Sequence, residues 1–167
     1  LVTVCQEANC PNITECWSKR HATFMIMGDT CTRACAFCDV KTGRPEKLDP
    51  FEPKKIALAV KRLNLRHVVI TSVDRDDLKD GGAEVWAMTV RSIRRKSPGT
   101  TLETLIPDFG GKWENLQLII DVAPEIVSHN IETVRRLTKA IRVQAKHDRS
   151  LELLLRLKQG GMRTKSG

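Results

Sequence analysis

A chain of 167 residues, 41% hydrophobic and 29% charged, can bury one core but is short for two ordinary domains. No run of about 18 apolar residues occurs, and Leu1-Val2-Thr3-Val4 lacks a charged region ahead of an apolar one, so neither a membrane span nor a signal peptide is expected. The net charge of +8 is local: residues 131–167 hold ten Lys and Arg against three Asp and Glu, and with 4% aromatics and no Tyr a single-stranded nucleic-acid partner is not expected.

In chain order, the first feature is chemical. All six cysteines fall within the first 38 residues, as Cys5-x4-Cys10-x5-Cys16 and Cys31-x3-Cys35-x2-Cys38. Thiols that dense at one end leave none for a distributed disulfide framework and point to metal, in a compartment that keeps them reduced. Thr23 to Met27 reads as a first strand. Pro53 suits a first helical turn, with Ile56, Val60 and Leu63 at helical spacing. His67 to Thr71 is a β-branched run of strand length, followed by a polar loop through Gly81-Gly82. Ala83, Trp86, Val90 and Ile93 form a helical stripe that Ser97-Pro98-Gly99 stops.

The alternation continues. Leu102 to Ile106 predicts a strand, Leu116, Ile119, Ile120 and Ala123 a helix face, and Glu125 to Ser128 a strand. Val134, Leu137 and Ile141 mark a helix, Leu151, Leu154 and Leu155 another, and Thr164 to Gly167 opens a further strand. Such β/α repetition builds a parallel sheet or barrel with right-handed crossovers. Four strands and the start of a fifth do not close a barrel, so the expected fold is α/β, a partial (β/α) barrel belonging to a longer protein.

The second triplet follows the first strand, at the end where parallel β/α folds carry function. Three thiolates can each hold one corner of a cubane and leave the fourth iron open to a cosubstrate, whereas a ferredoxin closes its cluster with four. Zinc would need a fourth Cys or His, for which His21 is the nearby candidate. Cys31-x3-Cys35-x2-Cys38, with Phe37 before the last cysteine, resembles the radical S-adenosylmethionine superfamily. Longer stretches, Cys5 through Trp17, Ala22 through Thr30, Val69 through Gly82 and Arg163 through Gly167, resemble the lipoyl synthase family within it.

That resemblance implies a partial barrel of the radical S-adenosylmethionine type over residues 23–167, preceded by an auxiliary-cluster segment over residues 1–22. It implies two 4Fe-4S clusters: Cys31, Cys35 and Cys38 hold the one that cleaves S-adenosylmethionine to a 5'-deoxyadenosyl radical, while Cys5, Cys10 and Cys16 hold an auxiliary cluster consumed as sulfur donor. The implied reaction is radical insertion of two sulfur atoms at C6 and C8 of a protein-bound octanoyl chain; a sulfur-inserting or methylthiolating relative is the alternative. The implied partners are octanoylated lipoyl carrier domains, the glycine-cleavage H protein and an electron donor such as flavodoxin or ferredoxin, in the cytoplasm or, in a eukaryote, the mitochondrial matrix. In the family the auxiliary cluster takes a fourth ligand from a serine near the C-terminus, past the equivalent of residue 167.

Polar residues at strand ends are the candidate S-adenosylmethionine contacts: Thr71, Ser72 and Asp74 after the second strand, His129, Asn130 and Glu132 after the fourth, and Lys165 and Ser166 at the fifth. Bland readings stand beside several of them. Asp74-Arg75-Asp76-Asp77 can pair within a turn, His129 can be a satisfied core side chain, and Gly81-Gly82 reads as a turn. Trp17 and Trp86 are expected to pack in the core. The basic stretch from Arg135 to Lys158 reads either as a solvated helix face or as a surface steering acidic carriers.

Overall fold

The computed structural model describes residues 2–4 and 11–167; Cys5 and Cys10, expected to hold an auxiliary cluster, lie outside them. Strand β1 (Val2–Thr3) runs antiparallel to β2 (His21–Ile26), and α1 (Ile13–Ser18) lies between them in sequence. After β2 a short parallel pair, β3 (Thr30–Cys31) and β4 (Lys41–Thr42), carries the cysteine loop. Then come α2 (Glu52–Arg62), β5 (His67–Ser72), α3 (Ala83–Lys96), β6 (Thr101–Leu105), α4 (Trp113–Val122), β7 (Ile126–Ser128), α5 (Arg135–Ile141), α6 (His147–Gln159) and β8 (Thr164–Lys165).

The main sheet has the order β1-β2-β5-β6-β7-β8 and is parallel from β2 onward, with Phe24 opposite Ile70 and Ile70 opposite Thr104. Neighbours in sequence are neighbours in the sheet, so there is no reversal of the kind that defines a doubly wound fold; this progression is that of a β/α barrel. The helices follow suit: α2 packs on α3, α3 on α4 and α4 on α6.

Local chemistry explains the elements. Pro53 sits in the first turn of α2, where its missing N–H costs nothing, and Pro53, Ile56, Ala57 and Val60 face inward at 0, 3, 4 and 7 residues. In α3 the buried stripe is Ala83, Trp86, Ala87, Val90 and Ile93, and Asp80 accepts from the N–H groups of Gly82 and Glu84 at its start. Gly81 and Gly82 turn the chain at φ +60° and +84°, and a Cβ on Gly82 would stand 2.2 Å from Met27 Sδ. Burying Ile70, Ile93, Leu102 or Leu153 completely stabilises by about 1.5–3 kcal/mol each.

Several expectations need correction. Leu63 ends α2 as its C-cap and is 55% exposed, because the helix stops at Arg62. Ala123 leaves α4 in a left-handed conformation at φ 47°, and Val122 is buried in its place. In α5 the buried residue is Thr138, while Val134 and Leu137 are exposed. In α6 Leu153 and Leu157, with Ser150, face the core and Leu151 and Leu155 face out. Trp86 is buried as expected, but Trp17 is 46% exposed.

Candidate active site

The corner after β2 sets the cysteine loop. Met27 turns at φ +68°, its N–H donating to Glu52 at 2.8 Å and its carbonyl accepting from Arg75 at 3.2 Å. The loop is then sewn to two elements. Thr32 donates through its N–H (3.1 Å) and hydroxyl (2.9 Å) to the Asp74 carbonyl beyond β5, while the Ala36 N–H donates to Ile141 at 2.9 Å and Cys35 bridges to Arg142. These backbone contacts place Cys31, Cys35 and Cys38 around one cavity at the C-terminal ends of the strands.

The same cavity is lined by Thr71, Ser72, Asp74, His129, Asn130 and Glu132, six of the eight residues expected there from sequence. Lys165 and Ser166 are not among its lining residues; the Lys165 ammonium donates to Glu103 at 3.0 Å. His129 has both ring nitrogens engaged, Nδ1 with the Ile106 carbonyl and Nε2 with Ser150 Oγ, each at 2.9 Å, and burial holds it neutral below its usual range. Ser72, which lines the cavity, has a buried Oγ with no hydrogen-bond partner among the described residues.

Sequence reasoning missed Arg33, Asp108 and Arg142, all on the cavity wall. Arg33, its side chain 4% exposed, makes a two-pronged contact to Asp76 at 2.7 Å, a bond to Asp108 at 2.7 Å and a contact to Asp74 at 3.4 Å. Burial opposes its charge, but the bond to Asp76 and the charges of Asp74 and Asp108 overturn that and bind its proton more firmly. Burial lifts Asp74 to about 6 despite Arg33, because Asp76 and Asp108 crowd it with like charge. Within the acidic run the turn reading holds only for Arg75, which pairs with Asp77 at 2.9 Å; Asp74 and Asp76 reach across to the cysteine loop. Asp108 stands just past a strand end, the signal that identified the other six, and Arg33 lies inside the cysteine motif itself.

Burial raises Cys31 and Cys35 above the usual thiol range; the N–H groups of Arg33 (3.4 Å) and Asp74 (3.3 Å) at Cys31 Sγ, and the Arg142 charge near Cys35, pull the other way. Thiolates so provided with donors suit a cationic iron–sulfur core. Among the described residues no three His, Cys, Asp or Glu side chains converge on a single-ion site. A cubane does not ask for that, since each thiolate takes a different iron. His21 begins β2, against His67 with ring centroids 5.4 Å apart, while the cysteines follow the strand's other end, about 16 Å along it. His21 is therefore out of reach as a fourth ligand beside Cys31, Cys35 and Cys38, and that donor set fits a cluster.

Fold and site together define a partial α/β barrel protein with a loop of three cysteines, suited to an iron–sulfur cluster, at the C-terminal ends of its strands. The sequence profile of the Radical SAM superfamily matches residues 25–167, and the chain belongs to that superfamily. Over the whole chain it is 61% identical to the lipoyl synthase of Flavobacterium johnsoniae and 61% identical to the mitochondrial lipoyl synthase of Nematostella vectensis, spanning 58% of the length of each. The crystal structure of methylornithine synthase superposes on 87% of this chain and 43% of its own, with a TM-score of 0.66 at 16% identity, a likeness of fold alone. The superfamily's cofactors are 4Fe-4S clusters and S-adenosylmethionine. No helix among the described residues is long and apolar enough to cross a membrane.

Proposed function

We propose that the chain carries the radical-forming centre of a lipoyl synthase, which inserts sulfur at C6 and C8 of an octanoyl chain held on a lipoyl carrier domain or the glycine-cleavage H protein. The observation that carries this reading is whole-chain identity of 61% to lipoyl synthases together with both cysteine triplets in one sequence. Cys31, Cys35 and Cys38 hold one 4Fe-4S cluster and Cys5, Cys10 and Cys16 the other. When bound, the first cluster with S-adenosylmethionine supplies hydrogen abstraction from an unactivated alkyl carbon, and the second supplies sulfur.

The chain's own residues bind and orient. Thr71, Ser72 and Asp74 on one side, and Asn130 and Glu132 on the other, offer hydroxyl, amide and carboxylate groups to the cosubstrate's polar ends. Phe37, Val73, Leu105 and Ile106 supply an apolar wall that keeps water from the reacting carbon. His129 orients rather than contacts, tying the ends of β6 and β7 to α6. Carrier docking falls to the exposed Arg136, Lys139, Lys146 and Lys158, since Arg142, Arg149 and Arg156 bond within the fold. The free thiols of Cys16, Cys31, Cys35 and Cys38 suit the cytoplasm or a mitochondrial matrix, with flavodoxin or ferredoxin as reductant.

Anaerobic reconstitution with iron and sulfide tests the reading in the full-length enzyme. Cys31→Ala is expected to lose both S-adenosylmethionine cleavage and lipoyl formation, and Cys5→Ala to keep cleavage while forming no lipoyl product. Undiminished sulfur insertion by Cys5→Ala would refute it.

A further inference from the structure

We propose that Arg33 is the positioning residue of the cluster loop, its guanidinium clamped by Asp76 and Asp108 so that the Cys31–Cys35 segment is fixed against the ends of β5 and β6. This rests on Cys31, Cys35 and Cys38 as cluster ligands, not on the sulfur-insertion chemistry. Arg33 lies midway between two of those cysteines, yet its side chain turns into the protein and is 4% exposed. It engages Asp76 with two nitrogens at 2.7 Å and Asp108 at 2.7 Å, and Asp108 is itself held by the Gly110 N–H and by Arg149, both at 3.0 Å. A planar fork used in this way fixes orientation as well as distance, which a lysine ammonium does not. Without it the loop's ties to the chain beyond β5 would be Thr32 and the Asp74 N–H at Cys31 Sγ. Asp76 does not line the cavity, and its carboxylate is bonded to the cysteine loop through Arg33.

Retention of the cluster reports on the clamp without any turnover. In the full-length protein carrying Cys5→Ala, which removes the other cluster's contribution, anaerobically reconstituted, the visible absorbance is followed after addition of a ferrous-iron chelator. Loss of cluster in Cys31→Ala first verifies the ligand set; a full cluster in that variant sinks both the set and the proposal. Arg33→Lys and Asp76→Asn are each expected to shorten the bleaching half-time about 10-fold, the effect typical of losing a residue that orients a metal ligand. The double variant should bleach no faster than Arg33→Lys, since both remove one clamp. Leu157→Ala, which weakens the core at α6, should keep the parental half-time. Half-times within twofold of the parent for Asp76→Asn, additive effects in the double variant, or equal acceleration in Leu157→Ala would each overturn the proposal; Asp76→Asn carries the test if Arg33→Lys does not fold.

Discussion

Two of the buried charge networks among the described residues are built in opposite senses. Around Arg33 one cation meets Asp74, Asp76 and Asp108, with Arg149 behind; around Glu103 one carboxylate meets Ser128 at 2.8 Å, Lys165 at 3.0 Å and His67 at 3.7 Å. The first network has more acid than it can satisfy, and burial pushes Asp74 up to about 6. The second is oversupplied with donors, and the nearby His67, with the hydrogen bonds from Lys165 and Ser128, holds Glu103 down at about 2. Glu103 joins β5, β6, β7 and β8 across one face of the sheet, a role in holding strands together. The Arg33 network sits where strands end and the cysteine loop begins, where an unresolved balance of charge leaves capacity for a charged ligand.

The largest effect should come from removing the cation that the acids share. Arg33→Met would leave three carboxylates without the cation they share, the fully buried Asp108 keeping only Arg149 as a cation, and the expected loss is about 3–5 kcal/mol in urea unfolding of the cluster-free protein. A loss below about 1 kcal/mol would mean that the acids are satisfied without Arg33, and the contrast with Glu103 would vanish.

Glu103 should respond to pH with a definite sign. Its folded value of about 2 lies below the ordinary 4.5, so its stabilisation is complete above 4.5 and is lost as pH falls from there through about 2. After screening by solvent the expected loss is on the order of 1–2 kcal/mol. Glu103→Gln should lack this acid limb: urea midpoints at about pH 5 and about pH 3 should separate less in the variant than in the parent. Equal separations would show that Glu103 is not the group responsible.

Much of this architecture is legible in sequence because the signals are local. The β-branched His67–Thr71 run, Pro53 at a helix start and the Gly81-Gly82 turn each follow from a residue's own stereochemistry. The six cavity residues followed from one topological rule about strand ends. What was illegible depends on partners distant in sequence. Arg33 finds Asp76 and Asp108 43 and 75 residues away, and no spacing in the cysteine motif announces that. In α6 the run Leu151-Glu152-Leu153-Leu154-Leu155-Arg156-Leu157 offers leucines to more than one side, and only packing against the rest of the fold selects Leu153 and Leu157. Lys165 read as a cosubstrate contact because its strand end was right; the carboxylate it pairs with lies on the neighbouring-but-one strand.

Lys165 supplies the smallest effect and the finest test of the contrast. Its side chain is 64% exposed, so its bond to Glu103 works largely in water and is screened there. Lys165→Met should therefore cost no more than about 1 kcal/mol at neutral pH. Glu103 would retain Ser128, which is buried beside it, and His67 at its other oxygen. The same deletion in the acid-rich network leaves less in reserve: Asp108 keeps Arg149 and the Gly110 N–H, but Arg33 is the one cation that Asp74, Asp76 and Asp108 have in common. A loss above about 2 kcal/mol for Lys165→Met, measured by urea unfolding, would show that Glu103 depends on one partner as the acids depend on Arg33, and the two networks would then differ in sign but not in design.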